Sequence, residues 1–321
     1  MRALVYTSAG QVQVRDEPSP MPGPDEELLT VAASGICGSE LHGFRQPGMR
    51  VPPLIMGHEF VGTTRDGRRV VVNPLIVCGT CDGCLAGRPQ VCRHRALVGV
   101  HRPGGFAEQV AVPRSALHEL PDELPDAAAA LVEPLANAVH ACALLAGPSR
   151  TSAGGALPAG RVGVLGAGPI GLLCAMVASR RGAQVHVADP SEPRRAAAAM
   201  LGLPSSEALE GEYDAVIDAV GLPATRQDSL AHLRPAGAAV WLGLAHDATE
   251  ISGNNLVRGE QTIRGSFAYT PAEFAKAVAL APELDLSWTT EVPLEQSAEI
   301  FFSLAEGNTA IVKAVIVPET S

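Results

Sequence analysis

Val164-Leu165-Gly166-Ala167-Gly168-Pro169-Ile170-Gly171 joins an apolar run, 162–165, to a segment, 169–181, whose apolar residues recur at helical spacing. In such a strand–turn–helix, Gly166 permits the tight turn and Gly168 lets the backbone approach a pyrophosphate. Gly171 lets the helix pack closely on the strand, and Pro169 and Ile170 open the helix. Its first N–H groups and positive dipole end then face the phosphates. Glycines alone also make ordinary α/β turns. Asp189, however, follows the next strand about 20 residues on, where a carboxylate accepts hydrogen bonds from the ribose hydroxyls. That acid repels a 2′-phosphate, so NAD is expected rather than NADP. Arg194 and Arg195 pull the other way, because an arginine there can receive the phosphate, and Arg194 can alternatively cover the adenine.

Working outward, strand and helix patterns alternate: 162–165, 169–181, 185–188, 192–201, 215–219, 224–233 and 238–242. This alternation builds a parallel, doubly wound sheet. Before it, short alternating runs at 3–6, 11–15, 28–33, 69–77 and 107–112, broken by Gly and Pro, predict a β-rich half. Residues 127–146 read as helix, and 147–160, rich in Gly, Pro, Ser and Ala, as a surface loop. From 283 strand signals return, ending in the apolar run 310–317. The expected class is α/β, with a β-rich domain at 1–135 to which 283–321 returns, and a doubly wound domain at 136–282.

The 321 residues exceed one typical core, which agrees with two domains. A net charge of −10 argues against nucleic-acid partners. The N-terminus lacks a signal-peptide run, and no stretch reads as long and apolar enough to cross a membrane, so a cytoplasmic protein is expected. Lysine occurs only at 276 and 313, which leaves almost no pool for Schiff-base chemistry.

Cys78, Cys81, Cys84 and Cys92 follow C-x2-C-x2-C-x7-C, with Gly79, Gly83 and Gly87 at the turns. Four thiolates close a tetrahedral zinc completely, so the site is read as structural. An iron–sulfur cluster and a nucleic-acid-binding zinc ribbon are the other readings of such a set. Cys142 and Cys174, in apolar helical patterns, read as core.

Cys37 lies in Gly35-Ile36-Cys37-Gly38-Ser39-Glu40-Leu41-His42, His58 in Gly57-His58-Glu59-Phe60, and Glu133 in Val132-Glu133-Pro134-Leu135. Alone, a cysteine or histidine is most often packing. An acid set in an apolar helix start is costly without a partner, and a metal is one such partner. Together with the four-cysteine lobe and the glycine turn, in this order over nearly the whole chain, these segments resemble the zinc-dependent medium-chain dehydrogenase/reductase family. The resemblance implies a GroES-like catalytic domain, a Rossmann domain, two zinc ions per chain and alcohol–ketone redox. It implies that Cys37, His58 and Glu133 ligate the catalytic zinc, with Glu59 reaching it directly or through water. It also implies that Ser39 and His42 relay a proton, although local loop hydrogen bonds explain them as simply.

Glu133 and Gly265-Ser266-Phe267-Ala268-Tyr269-Thr270 look like the polyol and sugar-alcohol branch. The expected substrate is a secondary alcohol of a polyol, sugar or cyclitol. Amino-alcohol or simple secondary-alcohol dehydrogenases are the alternatives, and a dinucleotide-binding protein without turnover is the rival of another class. Homodimers or homotetramers are implied, pairing at the sheet edge near 238–244. Two departures stand out: a short link between Phe60 and Val70, and no room between Leu201 and Tyr213 for a full strand–helix pair. In the loop 43–54, Arg45 and Arg50 read as solvated surface groups or as readers of an anionic or polyhydroxylated substrate.

Overall fold

A computed structural model of the chain describes all residues except 46, 47, 49, 146–159 and 319–321. The loop expected at 147–160 therefore lies, apart from Gly160, outside the described residues. The chain forms two units, Met1–Glu133 with Thr270–Ser321, and Pro134–Tyr269.

In the first unit, the long strand Glu26–Gly35 organises the main sheet. It pairs antiparallel with Glu59–Thr64, with Gln109–Pro113 and with Lys313–Val317 from the far end of the chain. Alternation decides which faces are covered: Leu29 and Val31 point to one cluster with Phe60, Val70, Val72, Val110 and Val112. A second cluster gathers Leu4, Tyr6, Phe44, Met56, Phe106, Phe301 and Ile316. In it, Phe44 meets Phe301 edge-on at 5.0 Å. Each such fully buried phenyl ring contributes about 2–3 kcal/mol through removal from water. The helix Pro271–Leu280 goes with this unit, although the sequence pattern puts the return at 283, because Phe274 packs on His118 with ring centroids 4.7 Å apart.

The second unit carries six strands in the order Ser205–Ser206, Gln184–Ala188, Arg161–Leu165, Tyr213–Asp218, Leu233–Trp241, Thr262–Gly265, every pair parallel. This is the 3-2-1-4-5-6 order of a doubly wound dinucleotide fold. The short link after Leu201 leaves a two-residue strand, Ser205–Ser206, with no helix between it and Tyr213–Asp218. The outermost strand is Thr262–Gly265, so Leu233–Trp241 is interior, which corrects the placing of a free edge near 238–244.

The helical stretch Asp126–Leu145 is, against the sequence reading, long and apolar enough to cross a membrane by length and composition, with mean hydropathy 1.5 over its window. Yet 83% of that window is buried inside the protein, which marks a core element.

Candidate active site and metal centres

Cys37 and His58 lie far apart in sequence but flank the same end of two paired strands. Glu26–Gly35 runs into Cys37, which begins the helix Gly38–Gly43; His58 immediately precedes Glu59–Thr64, and Gly35 pairs with Glu59. Gly57 has φ +94°, and a Cβ there would press on the Phe106 backbone nitrogen at 2.7 Å, so only glycine turns the chain into His58. Among the described residues, donor atoms of Cys37, His58 and Glu59 all lie within 4.8 Å of one another. Glu133, 7% exposed near the head of the helix Val132–Leu145, stands outside that group.

Two charged groups that sequence reading left unassigned hold this cluster in shape. Glu40, wholly buried, accepts hydrogen bonds from the Cys37 N–H (2.9 Å) and the Gly57 N–H (2.8 Å), and faces Nδ1 of His58 at 3.1 Å. A carboxylate at Nδ1 keeps a proton there and turns Nε2 toward a metal. Burial works against the Glu40 charge, but His58, Arg50 and the Cys37 N–H outweigh it and hold the acid below its ordinary range. For His58 burial likewise opposes the charge, while Glu40 and Cys37 raise its pKa.

Lys313 is the second group. Its Nζ forms an ion pair with Oε2 of Glu59 and donates to the Ile36 carbonyl at 2.9 Å. The pair closes over Gly35, where a Cβ would collide with both side chains. Burial disfavours the ammonium, yet Glu59, Cys37 and Glu40 raise its pKa above the usual lysine value. Lysine at 313, unused in the sequence reading, is thus a built part of the site. Its signal was a charged residue inside the apolar run 310–317.

Ser39, exposed, donates through Oγ to the Cys37 sulfur at 3.3 Å, and His42 is exposed on the same helix. Arg50 is not the solvated group that the loop pattern suggests: it is 2% exposed and donates to the Ser39 carbonyl at 3.1 Å. Arg45 is exposed and its guanidinium lies 5.5 Å from the Phe44 ring centroid.

The four cysteines of the lobe converge. Along four edges of the set their sulfurs are 3.5 Å (Cys92–Cys78), 3.6 Å (Cys81–Cys84), 3.8 Å (Cys81–Cys92) and 4.0 Å (Cys78–Cys84) apart. Four sulfurs about 2.3 Å from one zinc stand about 3.8 Å from each other. The set fits one ion, too tight for a cluster of several irons. Backbone N–H groups of Cys81 and His94 donate to Cys78 and Cys92 sulfurs, each at 3.4 Å. The Thr80 and Cys81 N–H groups bring the Cys78 thiol down to about 5, whereas burial pushes the Cys84 thiol up to about 12. A thiol of the second kind becomes a thiolate when a cation joins it, so the lobe's chemistry asks for a metal.

In the second unit, Gly166 has φ +97° and a Cβ on Gly171 would strike the Gly166 carbonyl, so both glycines are required by the fold. Gly168 differs: a Cβ there would meet nothing within 4 Å. That open space over the N-terminus of the helix Pro169–Arg180 fits a phosphate cradle. The Asp189 carboxylate accepts from the N–H groups of Ala167 and Ser191, each at 2.8 Å, which ties the glycine turn to the neighbouring strand end. Each carboxylate oxygen keeps a second acceptor site for a ribose hydroxyl. Arg194 Nη1 lies 3.6 Å from Asp189 Oδ2, while Arg195 donates to the carbonyls of Asp189 and Pro190.

Comparison with known proteins agrees with this architecture. Residues 23–122 match the alcohol dehydrogenase GroES-like domain, and residues 169–283 match the zinc-binding dehydrogenase family. The chain is 32% identical to L-galactonate-5-dehydrogenase of Escherichia coli K12, over 98% of each protein. It is 35% identical to L-threonine 3-dehydrogenase of Streptomyces coelicolor, over 89% of this chain and 90% of the relative. Among solved structures, one described as a zinc-binding dehydrogenase of Sinorhizobium meliloti 1021, bound to NADP, superposes with a TM-score of 0.88 at 30% identity, covering 99% of both chains. Galactitol-1-phosphate dehydrogenase of Escherichia coli gives 0.87 at 26% identity, covering 99% of this chain and all of that one. The chain belongs to the zinc-dependent medium-chain dehydrogenase/reductase family. Within that family it is an NAD(P)-dependent alcohol dehydrogenase, an oxidoreductase on small molecules.

Proposed function

We propose that this enzyme oxidises a secondary hydroxyl of a polyol, sugar or sugar acid, with NAD as hydride acceptor, one zinc at the Cys37–His58 site and one in the four-cysteine lobe. The observation that carries the reading is the meeting of Cys37, His58 and Glu59, the first two held by Glu40. A thiolate, an imidazole and a carboxylate make a donor set suited to zinc. Glu133 is the further carboxylate we assign to that ion, from the resemblance and from its burial.

Zinc held there would supply Lewis acidity toward the substrate hydroxyl, and NAD would accept the hydride. The protein's own residues do the rest. Glu40 fixes the imidazole tautomer and, through the Cys37 and Gly57 N–H groups, the separation of the two ligands. Ser39, beside the Cys37 sulfur, takes the hydroxyl proton, and His42 passes it to solvent. For each alcohol oxidised, one hydride reaches the nicotinamide and one proton leaves.

Asp189 supports NAD over NADP, since its carboxylate is fixed by two backbone N–H groups at the end of the strand beside the glycine turn. The Sinorhizobium protein holds NADP, so both coenzymes belong in the assay. The substrate class is carried from relatives named for galactonate and galactitol-1-phosphate. An amino alcohol is the second reading, favoured by the 35% identical threonine dehydrogenase. We place the enzyme in the cytoplasm as a homodimer or homotetramer: its seven cysteines are free thiols, and the sheet edge Thr262–Gly265 is the pairing strand this family likeness suggests. A panel of sugar acids, sugar alcohols, their phosphates and L-threonine, run with each coenzyme on protein of known zinc content, tests the reading. Fastest turnover on a polyhydroxylated substrate with NAD is expected; turnover confined to L-threonine would transfer the assignment to the second reading.

A further inference from the structure

Arg226, on the helix Pro223–Ala231, is 8% exposed, yet among the described residues no carboxylate pairs with it. Its guanidinium turns to a single loop instead. Nη2 donates to the Gly243 carbonyl at 3.3 Å, while Nη1 donates to Thr249 Oγ1 at 3.1 Å and to the Asp247 carbonyl at 3.5 Å. The guanidinium also lies 5.4 Å from the centroid of the Trp241 ring, whose Nε1 donates to Ser229 Oγ on the same helix. Burying a cation without an acid is unfavourable, and here the planar fork fixes several acceptors at once in return.

The loop it holds leaves the C-terminal end of the interior strand Leu233–Trp241, the end at which open α/β sheets bind ligands. On the coenzyme reading above, the pyrophosphate lies at the glycine turn after Arg161–Leu165, and the adenosine ribose lies beside Asp189, after Gln184–Ala188. The nicotinamide half then runs the other way, over the ends of Tyr213–Asp218 and Leu233–Trp241. At those ends two loops are pressed together: a Cβ on Gly221 would lie 2.2 Å from the Gly243 carbonyl carbon. The buried Asp218 carboxylate accepts from the Val220 and Gly221 N–H groups, and its carbonyl accepts from those of Leu242 and Gly243. Asp218 thus fixes the start of the second loop, and Arg226 fixes its continuation to Thr249.

We propose that Arg226 is a positioning residue for the coenzyme: it holds the loop 243–249 in the form that receives the nicotinamide half. The proposal rests on the coenzyme reading, so the test begins with the unaltered full chain. Binding of NADH and NADPH is followed by their fluorescence, and binding of the adenosine fragments AMP and 2′,5′-ADP by calorimetry. If the unaltered protein binds neither coenzyme, the coenzyme reading fails and this proposal with it. Given binding, R226M should raise the Kd of the preferred coenzyme by about tenfold and leave that of its matching fragment unchanged, since only the nicotinamide half meets the loop. A merely structural role would weaken fragment and coenzyme alike; that result, or an unchanged coenzyme Kd, would overturn the proposal. R226K keeps the charge without the fork and should bind the coenzyme as weakly as R226M. Full recovery in R226K would assign the effect to charge and overturn the positioning role. Should R226M not fold, T249V decides instead. It removes one acceptor of the fork and should raise the coenzyme Kd by about threefold with the fragment unaffected; no change in T249V would overturn the proposal.

Discussion

The two cysteine-containing centres are built in opposite ways. The four-cysteine lobe takes all its donors from one short excursion, Cys78 to Cys92, and shapes them with its own turns and N–H···S hydrogen bonds. The Cys37–His58 site takes its donors from the ends of separate strands and sets them beside two buried charges, Glu40 and Lys313. The first can fill an ion's coordination from local chain alone. The second needs the sheet register. On the proposed reading the local site serves stability and the distributed one serves reaction.

Variants at each centre should separate those roles. H58A removes a donor from the distributed site, and turnover should fall by roughly a thousandfold or more, because Lewis-acid assistance is worth several kcal/mol. Its melting temperature should stay close to that of the unaltered enzyme, and a collapse in melting of the size seen for a lobe variant would erase the contrast. E40Q keeps every ligand but disturbs the imidazole's partner; competition with a chelator should show metal affinity lowered by about 10–100-fold.

C92S acts on the other centre. Its melting temperature should drop by about 5–10 °C, as loss of a few kcal/mol does in a domain of this size, while turnover per folded molecule is kept. Acid gives a matching test. The Cys78 thiol is depressed from the ordinary thiol range to about 5, so the stabilisation its thiolate brings is lost progressively as pH falls from that range through about 5. Zinc counted after dialysis at stepwise lower pH should fall as protons compete for the four thiolates, and the melting temperature should fall with it.

The smallest effect concerns the glycine turn. G168A adds a methyl where, chain neighbours aside, no atom of the described residues lies within 4 Å, so the fold should not notice it. The KM for NAD should nonetheless rise by about tenfold, because the methyl blocks the backbone approach to pyrophosphate. An unchanged KM would mean that the phosphates lie elsewhere.

Legibility in the sequence follows the same division. The lobe and the glycine turn were readable because their chemistry lies in one contiguous segment, where spacing alone brings the atoms together. Cys37 and His58 were readable through their motifs. Glu40 and Lys313 were not, because their partners depend on which strands pair: only the register Gly35 with Glu59, and Gly35 with Val315, sets Lys313 against Glu59. Arg50 was misplaced for a related reason. A loop pattern predicts exposure, while its guanidinium folds under Ser39. The outer strand Thr262–Gly265 escaped because four residues with one large apolar side chain carry almost no alternation.

The central claim is that the distributed centre binds a zinc that performs the chemistry and the local one a zinc that does not. Metal analysis of the unaltered enzyme and C37A, prepared side by side and assayed for NAD reduction on the best substrate of the panel, tests it most directly. The account predicts two zinc ions per chain falling to one in C37A, with turnover lost and the fold retained. C37A that kept both ions and its turnover would contradict it.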